Sequence, residues 1–197
     1  MTKFEKLDVM TEKHNGYLFT KEVEKEGISR TYLAKYVKEK NLEKVARGIY
    51  IREDIWPDEL FILQQTYKRI VFSLETALYL HGLLDREYAT IYVTLPTNAN
   101  QVGLREKGVI VRQQKQELYQ LGKTEGKTYF GNTVCIYDKE RCICDLIKEK
   151  DKFEVQTFQT AMKSYMRSSD KELTKLLSYA YKLNMKDEIM KYIEVMI

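Results

Sequence analysis

Apolar positions recur at helical spacing over residues 2–13, where Phe4, Leu7 and Met10 share one face among lysines and glutamates. Asn15-Gly16 stops that helix. Thr20 reads as the N-cap of a second helix, with Val23 as its inward anchor and Gly27 as a left-handed terminator. Ser29 caps a third helix that runs to about residue 40 and ends at Asn41. Residues 42–45 and 49–52 read as two short strands joined around Arg47-Gly48, where glycine permits the turn. Residues 54–57 read as a junction.

From Asp58 the pattern changes. Residues 59–69 and 73–84 read as helices, the second N-capped by Ser73 and ending at His81-Gly82. Residues 91–95 form a strand closed by Pro96, and further strands are predicted at 108–112, 128–130 and 133–137. Helical spacing returns at 139–150 and repeats at 153–166, 171–183 and 185–197. The expected fold class is α+β. Residues 1–55 form an N-terminal winged helix-turn-helix; residues 56–197 form a larger mixed α/β domain, with helices and strands to about residue 150 and a helical C-terminal part.

The third helix carries the most informative chemistry. On a wheel, Leu33, Ala34 and Val37 cluster on the side that packs inward. Thr31, Lys35 and Lys38 centre on the opposite side, flanked by Tyr32 and Glu39. Net charge is only +4, so distribution decides. From Ser29 to Lys44 the bases Arg30, Lys35, Lys38, Lys40 and Lys44 face only Glu39 and Glu43, and Arg47 and Arg52 follow. A DNA-reading helix needs this division of apolar back and cationic front. In that reading Thr31, Tyr32 and Lys35 reach base edges, while Arg30, Lys38 and Lys44 grip phosphates. Arg47, at the wing tip, enters the minor groove or touches its backbone. The bland alternative is a solvated basic helix in a winged helix that binds protein.

Composition narrows the remainder. Hydrophobic residues at 44 per cent and aromatics at 12 per cent exclude disorder. No apolar run approaches the roughly 18–20 residues that span a membrane, and the first residues lack the apolar stretch of a signal peptide. A cytoplasmic location is expected. The odd set Cys135, Cys142 and Cys144 fits structural thiols in a reducing compartment. Cys142-x-Cys144 lacks a second ligand pair, and the two histidines, His14 and His81, lie far from it, so neither metal nor cofactor is expected.

His81 reads as a helix-terminal residue whose cationic ring would favour the C-terminal dipole. Asp138, with Arg141 and Asp145 at i, i+4, reads as a cap and an ion pair. A nuclease site from Asp138, Glu140 and Lys148 is the alternative, but the acids such a site wants on adjacent strand positions are missing. Tyr165, Tyr179, Tyr181 and Tyr192 among lysines and arginine read as amphipathic packing, with single-strand binding as the alternative. Catalysis is not expected.

Four segments together resemble the AbiEi family of antitoxins from type IV toxin–antitoxin systems of bacterial abortive infection. They are GYLFTKEVEKEGISRTYLAKYVKEKN, the wing LEKVARGIYIRED, the helix SLETALYLHGLLDRE with the strand TIYVTLP, and VCIYDKERCICDLIK. They span residues 15 to about 150 in the family's order, whereas residues after 151 match only in character. The resemblance implies a protein that binds inverted repeats in its own promoter as double-stranded DNA and represses its operon. It also implies that the larger domain counteracts a nucleotidyltransferase-like toxin without a stable complex, through residues the sequence does not name. The alternative is a winged-helix transcription factor with a ligand- or protein-sensing second domain and no toxin.

Overall fold

The computed structural model describes the backbone of residues 2–196 and the side chains of residues 2–194, so residue 197, within the last predicted helix, lies outside the described residues. The chain divides into two compact units, Met1–Lys68 and Arg69–Ile197.

In the first unit, α1 (Lys3–Lys13) begins with a capping box in which Thr2 and Glu5 satisfy each other's backbone N–H groups. Asn15 and Gly16 take left-handed backbone and turn the chain into β1 (Tyr17–Phe19). Gly16 has φ 88°, a backbone conformation that favours glycine, and a Cβ there would also have to displace the tip of the Ile55 side chain, 2.0 Å away. Then follow α2 (Thr20–Lys25), α3 (Arg30–Glu39), β2 (Glu43–Ala46) and β3 (Ile49–Ile51). The antiparallel sheet has the order β1-β3-β2, and α1-β1-α2-α3-β2-β3 is the winged-helix order. Leu7, Leu18, Val23, Ile28, Leu33, Tyr36 and Leu42 form its core.

Three expectations need correction in this unit. β1 was not foreseen, because three consecutive buried residues show no alternation. Thr20 is not the N-cap of α2; Phe19 is, without a side-chain cap, since β1 runs straight into the helix and Thr20 N–H bonds to Gly48 O. The division falls after Lys68 and not after residue 55. Asp58 caps α4 (Glu59–Thr66) and donates its own N–H to the Tyr17 hydroxyl, and Phe61 packs edge-on against Tyr17, which ties α4 to the winged helix.

The second unit contains β4 (Val71–Phe72), α5 (Leu74–Leu80), β5 (Tyr92–Pro96), α6 (Val102–Arg105), β6 (Ile110–Gln114), α7 (Gln116–Gln120), β7 (Lys123–Lys127) and β8 (Thr133–Tyr137). Behind them come α8 (Lys139–Lys148), α9 (Val155–Arg167), α10 (Leu173–Lys182) and α11 (Lys186–Met196). The mixed sheet runs β6-β5-β4-β8-β7, with β4 parallel to β8 and β5 parallel to β6. Residues 128–130, predicted as a strand, are instead the turn between β7 and β8, and β7 is the strand the sequence hid. Its KTEGK lacks the apolar alternation of a half-buried strand because it lies at the sheet edge. Ser73 occupies the N-cap of α5, but its hydroxyl accepts from Thr94 instead of capping the helix.

α8 is the hub of this unit, with every residue from Glu140 to Ile147 buried. The predicted cap and ion pair are both present. Asp138 Oδ1 accepts Arg141 N–H at 2.9 Å, and Arg141 Nε donates to Asp145 Oδ2 at 3.1 Å. Asp145 also pairs with Arg112 of β6 at 3.2 Å, while Arg112 reaches Glu149 at 2.5 Å. Arg141 Nη1 donates to Leu118 O and Leu121 O, and its guanidinium lies 4.5 Å from the Tyr137 ring. On the other flank Glu140 accepts from the Tyr165 hydroxyl and Glu172 N–H, and Asp138 accepts from the Tyr179 hydroxyl. Lys175 bridges Asp138, Glu140 and Glu172. These carboxylates hold helices α9 and α10 to α8, while Lys148 is exposed. Tyr192 packs on Phe158, and Tyr181 alone of the four tyrosines is exposed. Cys142 and Cys144 are buried, their thiols directed at the carbonyls of Tyr137 and Leu176.

His81 differs from the sequence reading in charge. Its Nε2 lies 2.7 Å from Tyr137 O, so this nitrogen carries the proton and donates. Burial holds the imidazole pKa below its ordinary value, so the ring at the end of α5 is neutral. An unfolded histidine protonates near pH ~6.5, above the folded value, so acid favours the unfolded state. The midpoint of thermal unfolding should therefore fall as pH drops through about 6.5, and His81→Gln should flatten that slope. An unchanged slope in the variant would remove His81 as its cause.

Candidate nucleic-acid interface

Ser29 starts α3 by accepting Tyr32 N–H at 3.3 Å. Leu33 and Tyr36 are the buried residues of this helix. Ala34, expected inside, is exposed, and Tyr36 takes the inner position. A wheel scores Ala34 as apolar, but a methyl group has little area to bury, whereas the Tyr36 ring packs 5.2 Å from Phe4 and its hydroxyl donates to Asp8 at 2.8 Å. That enclosure pushes the Tyr36 hydroxyl up to about 12, chiefly by burial.

The outward side holds Thr31, Lys35 and Lys38, all exposed. Tyr32, expected at base edges, is half-buried and set edge-on to Phe4 at 5.4 Å. Lys3 Nζ lies 5.2 Å from the Tyr32 ring centroid. Lys3 is thus an added cation beside α3. Sequence reasoning missed it because it belongs to α1, 29 positions before Tyr32.

The structure sorts the basic residues into two groups. Arg30 Nε donates to Glu24 Oε1 of α2 at 2.5 Å, Lys40 pairs with Asp8 at 3.0 Å, and Arg52 holds Asp54 through two donors. Lys35, Lys38, Lys44 and Arg47 have no ion pair or hydrogen bond to a side chain among the described residues, and all four are exposed. Lys44 lies on β2 opposite Tyr50, beside a register irregularity in the ladder. Arg47 occupies the turn before Gly48, whose φ of 74° only glycine adopts without cost. Because Gly48 O also binds Thr20 N–H, this wing is short and tied back to the start of α2. An exposed pair such as Arg30–Glu24 is weak and opens readily to a phosphate. The arrangement therefore offers α3 as a polar, cationic ridge with a basic turn beside it.

Among the described residues no group of three or more His, Cys, Asp or Glu is arranged to hold a metal ion, and no helix is long and apolar enough to cross a membrane. Comparison with curated proteins gives no match. A comparison with protein families matches residues 3–88 to the transcriptional regulator described as the AbiEi antitoxin N-terminal domain. The match takes in the whole winged helix and continues past Lys68 through β4 and α5, so it includes the segment SLETALYLHGLLDRE and stops short of VCIYDKERCICDLIK. Residues 3–88 thus match the AbiEi antitoxin N-terminal domain, a transcriptional-regulator domain.

Proposed function

We propose that the protein is a cytoplasmic type IV antitoxin and autorepressor, whose winged helix binds inverted repeats in its own promoter. The observation that carries this reading is the free cationic set Lys35, Lys38, Lys44 and Arg47 on the outer side of a domain matched to antitoxin regulators. In this reading Thr31 and Lys35 reach base edges, Lys38 and Lys44 grip phosphates, and Arg47 enters the minor groove or touches its backbone. Arg30 joins them by releasing Glu24, and Tyr32 contributes by bracing the helix on Phe4 more than by touching bases. An inverted repeat brings two copies to one operator.

The test is binding of the purified protein to DNA just upstream of its gene, against scrambled DNA, across a salt series. Specific binding that weakens steeply with salt supports phosphate-anchored recognition. Equal affinity for both DNAs would overturn the autorepressor reading.

The second half of the proposal assigns antitoxicity to the second unit, acting against a nucleotidyltransferase-like toxin without a stable complex and without catalysis. It is supported by the family of the N-terminal domain and by the compactness of Arg69–Ile197. A fragment of residues 69–197 that retains helical circular dichroism is expected to rescue growth from the toxin while failing to repress the promoter. A folded fragment without rescue would place antitoxicity elsewhere. An adjacent gene unrelated to nucleotidyltransferases would favour a transcription factor without a toxin.

A further inference from the structure

The turn between β7 and β8 displays two aromatic rings to solvent. Tyr129 is 90 per cent exposed and Phe130 49 per cent, their ring centroids 5.6 Å apart and nearly perpendicular. Aromatic residues are uncommon at turn corners, which favour Gly, Asn, Asp, Ser and Pro. This turn is nevertheless built rigidly. Thr128 and Asn132, which flank the rings in sequence, are buried, and Thr128 N–H bonds to Asn132 O, Gly131 N–H to Thr128 O and Asn132 N–H to Thr128 Oγ1. Gly131 supplies the left-handed backbone, at φ 80°. On β7, Lys123, Glu125 and Lys127 are exposed on one face, leading toward the rings. Lys127 Nζ is steadied by Thr133 Oγ1 at 2.6 Å, and Lys123 Nζ lies 5.1 Å from the Tyr119 ring centroid.

We propose that the Tyr129–Phe130 turn, with Lys127 and Lys123, is a stacking platform for single-stranded nucleic acid. Two arguments favour this occupant over a folded protein. Among the described residues, the other exposed large apolar side chains belong to segments outside this hairpin. At roughly 150–250 Å² per ring, Tyr129 and Phe130 fall short of the ~800 Å² that a stable protein interface buries on each side. Two rings suffice for base stacking, which tolerates any sequence because every base has a π-face. The lysines, four residues apart on one face, stand about 13 Å from each other, where an extended strand can meet both with its phosphates. Glu125 between them keeps the patch at a net charge of +1, so stacking carries most of the affinity and the salt dependence is shallow.

The test uses the full chain carrying Lys35→Ala and Lys38→Ala, which weakens the winged helix and so separates this proposal from the promoter reading. Fluorescence anisotropy follows a short labelled single strand of mixed sequence, as DNA and as RNA. Binding is expected to survive the two lysine substitutions, to weaken about tenfold or more on Tyr129→Ala, and to persist in Tyr129→Trp. Circular dichroism checks that each variant folds. Absence of single-strand binding, or binding indifferent to Tyr129→Ala and Phe130→Ala together in a folded protein, overturns the proposal. So does cross-linking from position 129 to a partner protein, or binding to anionic vesicles, with no single-strand affinity.

Discussion

Asp145→Ala is expected to destabilise the second unit by about 3–5 kcal/mol, the cost of removing one partner from a buried ion pair. The residue is 1 per cent exposed and its carboxylate serves two guanidiniums, those of Arg141 at 3.1 Å and Arg112 at 3.2 Å. Arg141 is fully buried, so without Asp145 it retains only carbonyls and the Tyr137 ring, with no countercharge of its own. Arg112 keeps Glu149 and is less affected. A loss of that size is a large part of the stability of an ordinary domain. The double change Arg141→Met with Asp145→Leu should cost less than Asp145→Ala alone, because replacing both members removes the unpaired charge. Urea titrations followed by circular dichroism would show this. A midpoint for Asp145→Ala close to that of the parent would mean that the network adds nothing to stability.

The second large effect is expected on DNA. Lys35→Ala with Lys38→Ala should weaken binding to the upstream sequence by tenfold or more, since a base contact is worth about 1–3 kcal/mol and phosphate contacts add to it. Each lost phosphate contact should also reduce the slope of log affinity against log salt by about 1. Lys40→Ala is the matched control. It removes one positive charge from the same stretch of chain, as Lys38→Ala alone does, but Lys40 is engaged with Asp8 at 3.0 Å, so affinity should move far less than for Lys38→Ala. Equal losses for Lys40→Ala and Lys38→Ala would mean that overall charge, and not the outer side of α3, governs binding. Both substitutions lie at exposed positions, so neither threatens the fold.

What was legible in the sequence was local. The Ser29 and Asp138 caps, the helix stops at Asn15-Gly16, Gly27 and Asn41, the glycine turn at Gly48 and the Arg141–Asp145 pair all follow from the sequence. Each depends on residues a few positions apart, whose geometry follows from helix and turn periodicity alone. The basic outer side of α3 was legible for the same reason.

The tertiary structure decided everything that joins distant residues. It made a strand of Tyr17–Phe19 by supplying β3 as a partner, and a turn of Tyr129-Phe130 by pairing KTEGK with TVCIY. It sorted the cations of the first unit, engaging Arg30, Lys40 and Arg52 with carboxylates and leaving Lys35, Lys38, Lys44 and Arg47 free. It turned α8 from an amphipathic helix into a buried hub whose charges meet β6, α9 and α10. Periodicity shows which side of an element must be covered. Only the packed chain supplies the covering group, because a buried charge takes its countercharge from whichever element lies against it.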